Sequence, residues 1–107
     1  MILYNITVKI DHAVHDDWLA WMRTKHIPDV LETGLFSHCR LAKILEQNEQ
    51  DGATYSVQYT CSSMNDYFTY QREHAAALQV EHTERYKNKF VAFRTLLRTV
   101  DELEVRL

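Results

Sequence analysis

Two glycines and one proline in 107 residues leave this chain little material for phosphate-cradling loops, low-complexity linkers or a fibrous repeat. None of GxGxxG, GxxxxGK[ST] or GxSxG occurs, which excludes nucleotide-binding loops and the strained nucleophile elbow of serine hydrolases. Cysteine is scarce as well. Cys39 and Cys61 lack C-x-x-C spacing and are expected to be reduced, partly buried thiols. Neither H-x-x-x-H nor H-E-x-x-H is present, and His74 and His82 are about 12 Å apart along a helix, so no metal site is expected. No cofactor is expected either.

Positive charge is not in surplus: twelve Lys and Arg are dispersed among fifteen acids, for a net charge of −3. Without a basic stripe, nucleic acid is not an expected partner. The apolar residues among Met1 to Ile6 soon give way to Lys9 and Asp11, which reads as neither a leader nor a membrane span, so cytoplasmic residence is expected.

Apolar side chains make up 46% of the chain, and at this length a fold buries roughly 65% of the surface the unfolded chain exposes. One domain spanning 1–107 is therefore expected. Ile2, Tyr4, Ile6, Val8 and Ile10 alternate with Leu3, Asn5, Thr7 and Lys9, the period of a half-buried strand. A helix follows from about Val14, with Asp16 and Asp17 opposing the positive end of its dipole. Val14, Trp18, Trp21, Met22, Lys25 and His26 share one sector of it. Pro28 is expected to break or kink that helix at Ile27, a short turn running on to Thr33 and a left-handed stop at Gly34.

Phe36–Leu45 and Ala53–Cys61 read as antiparallel strands joined by an exposed loop from Glu46 to Gly52. Ser62 or Ser63 caps a second helix with an inner stripe of Met64, Tyr67, Phe68, Gln71, His74, Ala75, Leu78, His82 and Tyr86, ending near Asn88. Residues 89 to about 100 form the last strand. The order βαββαβ predicts an α+β, ferredoxin-like fold: a four-stranded antiparallel sheet in order 4-1-3-2 with both helices on one face. The bare opposite face predicts a homodimer.

Two candidate sites follow. If Tyr4, Ile6 and Val8 face the helices, with Tyr55, Val57, Tyr59, Val91 and Phe93 beside them, then Asn5, Gln58 and Arg94 meet on the far face. That patch suits a carboxylate or carbonyl ligand, or else a hydrogen-bonded dimer interface. The other site is centred on His26, a candidate catalytic base, with Trp18, Met22 and His74 as ligand-binding neighbours. Its alternative is a core histidine bonded to a carbonyl that Pro28 frees. A free ring nitrogen facing a cleft of about 300 Å³ or more favours the first of these. His82 is assigned to the surface edge, and His12 and His15 to a solvated helix start. Trp18, Trp21, Tyr67, Phe68, Tyr70 and Phe93 at helical or strand spacing are read as core before pocket.

At Tyr4-Asn5-Ile6-Thr7-Val8, Trp18-Leu19-Ala20-Trp21-Met22, His26-Ile27-Pro28, Tyr55-Ser56-Val57-Gln58-Tyr59 and Lys89-Phe90-Val91-Ala92-Phe93-Arg94-Thr95 the chain resembles a domain-of-unknown-function family of small bacterial proteins. That family resembles the dimeric α/β-barrel superfamily, which implies two ferredoxin-like subunits packed sheet against sheet. Some of its members are cofactor-independent monooxygenases, isomerases or degradation enzymes, several with an aromatic residue before a His-x-Pro, here Trp18 and Trp21 before His26 and Pro28. The resemblance implies a cleft ligand without naming it. Two functional readings follow: a homodimeric small-molecule-binding protein, with cofactor-independent enzyme chemistry as one form of it, or a non-catalytic dimerisation or regulatory module.

Overall fold

The computed structural model describes residues 1–45 and 48–106. Glu46 and Gln47 of the expected loop, and Leu107, lie outside the described residues. Strands β1 (Ile2–Ile10), β2 (His38–Lys43), β3 (Ala53–Cys61) and β4 (Phe90–Arg98) form one antiparallel sheet in the order β2-β3-β1-β4. This is the predicted 4-1-3-2 arrangement read from the other edge.

The first helix covers 15–32 without a break, so that Ile27–Glu32 continue it as helix in place of the expected short turn. α-Helix His15–Trp21 passes into a π-turn, Met22–His26, and then into α-helix Ile27–Glu32. Pro28 has no N–H, and its ring would crowd the carbonyl four residues back in a regular helix. The wider turn absorbs that clash, with the Ile27 amide donating to the Met22 carbonyl. Upstream, Asp11 caps a short 3-10 turn, its carboxylate accepting from the Ala13 amide at 2.8 Å. Gly34, at φ +78°, takes the left-handed stop.

The second helix, over 64–85, is likewise interrupted by a π-turn, Gln71–Ala75. Of the two candidate serines Ser63 is the cap, accepting from the Asp66 amide at 3.2 Å. Tyr70 takes the buried place on this helix, whereas Phe68 stands 53% exposed. Asn88, at φ +64°, ends the helical run, and the Lys89 carbonyl ties the start of β4 to the Asp11 amide at 2.8 Å.

That turn sets the register of β4, and the register overturns one expectation. Cross-strand partners share a face, and Arg94 lies opposite Ile6 while Phe93 lies opposite Thr7 and Val91 opposite Lys9. Arg94 is therefore on the helix side with Phe90, Ala92 and Leu96. Val91, Phe93 and Leu97 are on the far side, 68%, 63% and 44% exposed. The core lies between helices and sheet, from Trp18, Trp21, Met22 and Val30 across to Tyr4, Val8, Val57 and Tyr59. Cys61 is buried and Cys39 half-buried, both free thiols. Among the described residues no helix is long and apolar enough to cross a membrane.

Candidate functional site

A cleft opens between the helices and the near face of the sheet, with Tyr4, Tyr59 and Arg94 on the sheet side and Met22, His26, Tyr70 and His82 on the helix side. Its cavity volume is about 50 Å³, inside a concavity of about 530 Å³ that includes space open to solvent. The cavity itself thus falls short of the 300 Å³ that would hold a whole ligand, although it has room for water or a small polar group.

His26 is the last residue of the first π-turn and stacks on Trp21, centroids 5.0 Å apart and planes 28° inclined. Its Nδ1 is buried and has no hydrogen-bond partner among the described residues. The expected bond to a carbonyl freed by Pro28 does not form at this nitrogen. Burial is the main reason its pKa falls from 6.5 to about 4; Asp29 opposes the drop and Lys25 adds to it.

His82, expected at the surface edge, instead lines the cleft and meets His26 edge-on at 5.6 Å. Its Nε2 accepts from the Trp18 indole N–H at 2.9 Å. A nitrogen that accepts cannot carry the ring proton, so the neutral ring holds it on Nδ1 and presents a donor there. Burial first, then His26 and Arg94, lower the His82 pKa to about 4. The site therefore holds two neutral imidazoles at pH 7.

Below them, the Tyr59 hydroxyl is buried with no nitrogen or oxygen partner among the described residues, and the Cys39 thiol beside it is a weak one. Burial above all, with Cys39, Tyr70 and Tyr4 adding to it, pushes this phenol far above its usual range. Cys39, opposite Tyr59 on β2, is pushed up to about 11, again chiefly by burial. Among the described residues, Arg94 brings the only permanent positive charge to the cleft lining; it lowers the pKa of His82 and opposes the rise at Tyr70.

The predicted site residues thus separate differently from expectation. His26, Met22 and Arg94 come together at the cleft. Trp18 is fully buried behind His82 rather than in the lining. His74 stacks on Tyr70 at 6.3 Å and does not line the cleft. Asn5 and Gln58 do face each other on the far side, but without Arg94. There Asn5 is satisfied within the sheet, donating to Thr7 Oγ1 at 3.1 Å and accepting from the Ser56 hydroxyl. Sequence reasoning reads Tyr70 as core before pocket and assigns His82 to the surface edge, and the structure places both in the cleft lining. The inner-stripe spacing of His82 is the available signal; its contact with Trp18 is not visible in the sequence.

A family model described as a domain of unknown function (DUF4286) matches residues 1–100. No curated protein matches the chain in sequence. Among solved structures, a dimeric ferredoxin-like protein from an uncultured marine organism superposes with a TM-score of 0.69 at 12% identity, covering 97% of this chain and 98% of its own. A mutant of MhuD with two manganese protoporphyrin IX bound per active site gives 0.67 at 12% identity, covering 98% and 100%. An antibiotic biosynthesis monooxygenase gives 0.61 at 14%, covering 94% and 100%. At such identities the likeness is one of fold.

Proposed function

We propose, from the premise that the chain belongs to the DUF4286 family, that it is a homodimeric small-molecule-binding protein whose ligand enters the cleft between helices and sheet. One observation carries the reading: His26 Nδ1, buried and without a partner among the described residues, belongs to a residue lining the cleft, as does the Tyr59 hydroxyl, whose side-chain partner is only the weak Cys39 thiol. An unpaired buried group costs about 1–3 kcal/mol, which a ligand's polar group would recover. The aromatic walls suit a planar, largely apolar body, and Arg94 offers a planar fork of donors for a carboxylate. The cavity admits the polar end of such a molecule, with the body in the open part of the concavity.

His26 serves here as a binding group rather than a strong base. A conjugate acid with a pKa of about 4 gives little driving force for proton abstraction at pH 7. A screen by thermal shift against aromatic carboxylates and quinones tests the reading. Aromatic carboxylates are expected to stabilise the protein, and Arg94→Ala to weaken their binding roughly ten- to hundredfold, the range for a lost charge-assisted bond. Uncharged analogues should lose nothing. No stabilisation by either class would leave the second reading, a non-catalytic dimerisation or regulatory module, which the small cavity volume favours.

The homodimer draws support from the far face, where Val91, Phe93 and Leu97 form an exposed apolar strip on β4. The dimeric state named for one structural neighbour agrees with it. Phe93→Asp would place an unpaired charge in that interface and is expected to give monomers in sedimentation velocity with unchanged circular dichroism. A dimer of undiminished stability would locate the interface elsewhere.

A further inference from the structure

We propose a second binding site, independent of the cleft, in the groove between the first helix and strands β2 and β3, which takes a small amphipathic carboxylate. The groove has a volume of about 470 Å³, in the range of small-ligand sites, and shares no lining residue with the cleft. Leu19, Arg23 and Ile27 line it from the helix, and Leu41, Lys43 and Tyr55 from the sheet. Three aliphatic side chains and a tyrosine ring are thus set beside two cations.

The floor is fixed by a chain of hydrogen bonds. His15 Nδ1 lies 2.9 Å from Asp16 Oδ1, an acceptor, so Nδ1 carries the ring proton. His15 Nε2 is then an acceptor, and the Tyr55 hydroxyl donates to it at 2.6 Å. Trp18 packs against the Tyr55 ring at 5.2 Å, and the tyrosine is only 7% exposed. Tyr55 therefore offers a rigid aromatic surface that loses little freedom when a ligand settles on it. His15 is half-buried in this chain of contacts, not solvated as its position at a helix start suggests.

The cations set the ligand's charge. Arg23 is exposed and makes no ion pair among the described residues. Lys43 pairs with Glu49 at 3.1 Å, but the two side chains remain 42% and 34% exposed. Such a pair is worth about 0–1 kcal/mol, so a carboxylate ligand can take over the ammonium. An acyl or aryl chain against Leu19, Ile27, Leu41 and Tyr55, with its carboxylate at Arg23 and Lys43, satisfies both halves of the groove. A nucleotide or sugar would leave the aliphatic wall unused.

Decanoate, titrated below its micelle concentration into 15N-labelled protein, tests this. Shifts are expected at the amides of Leu19, Arg23, Ile27 and Leu41, with binding weakened about tenfold in Arg23→Ala. Decanol should bind more weakly than decanoate, and Arg94→Ala should leave decanoate affinity unchanged, which separates this site from the cleft. The inference is overturned if millimolar decanoate leaves those amides unmoved, if only cleft residues respond, or if decanol and decanoate bind alike. Arg23 is exposed, so its substitution leaves the fold intact, and circular dichroism of the variant checks this.

Discussion

Between pH 7.5 and pH 4.5 the urea midpoint of this protein is expected to fall steeply, because His26 and His82 are both held neutral in the fold. Each has a pKa of about 4 when folded and 6.5 when free. Between those values the unfolded chain binds protons that the folded chain refuses, so stability rises with pH there. The contribution is complete above pH 6.5 and is lost as the pH falls toward 4. The drop from 6.5 to about 4 corresponds to roughly 3 kcal/mol for one imidazole. The second adds less, since part of the depression at His82 comes from His26 itself.

A His82→Leu variant keeps an apolar filling and removes the smaller of the two titrating contributions, so its midpoint should depend on pH less strongly while keeping more than half of the native dependence. A pH profile identical in the two proteins would remove the imidazoles from the account. In the native protein, the same neutrality keeps a donor at His82 Nδ1 and an unprotonated nitrogen available at His26 through the physiological range. A ligand bearing a carboxylate would raise both pKa values on binding, so its affinity should increase as the pH falls from 6 toward 5.

Trp18→Ala should destabilise the fold by about 3–5 kcal/mol, the cost of emptying a fully buried large aromatic site. For a chain of this length that lowers Tm by at least about 12 °C. The loss has two parts. The indole fills the space beside Tyr55 at 5.2 Å, and its N–H is the partner of His82 Nε2. Trp18→Phe separates them, since it keeps most of the ring volume and drops the donor. It is expected to cost about 1–3 kcal/mol, the penalty for leaving a buried acceptor unpaired. If Trp18→Phe proved as damaging as Trp18→Ala, the hydrogen bond rather than the packing would dominate. If both were harmless by differential scanning calorimetry, the core assignment itself would fail.

These two tests bear on function because the same residues connect the core to the cleft. Trp18 holds His82, His82 abuts His26, and His26 rests on Trp21. Variants that alter the cleft chemistry should therefore be chosen at Arg94, which is exposed, before Trp18, where binding and folding cannot be told apart.

The strand and helix order was legible in the sequence because it rests on local periodicity. Ile2, Tyr4, Val8 and Ile10 alternate inward on β1, Ser63 caps the second helix, and Gly34 stops the first. The pairing of β1 with β3 followed as well, since each has one clearly apolar face. β4 had no such face: Phe90, Ala92 and Leu96 on one side and Val91, Phe93 and Leu97 on the other are both apolar. Alternation cannot orient a strand that is apolar on both faces, and the turn at Asn88 chose the register that carries Arg94 into the cleft.

Pro28 likewise promised an interruption, but only the neighbouring turns decided that a π-turn would replace it. His82 and His15 acquired their roles from Trp18 and Tyr55, residues 64 and 40 positions away along the chain. The sequence alone determined which segments are strands and helices and which side chains are apolar enough to form a core. The tertiary structure alone decided which polar atoms that core strands without partners, because burial and partnership are properties of distant segments brought together.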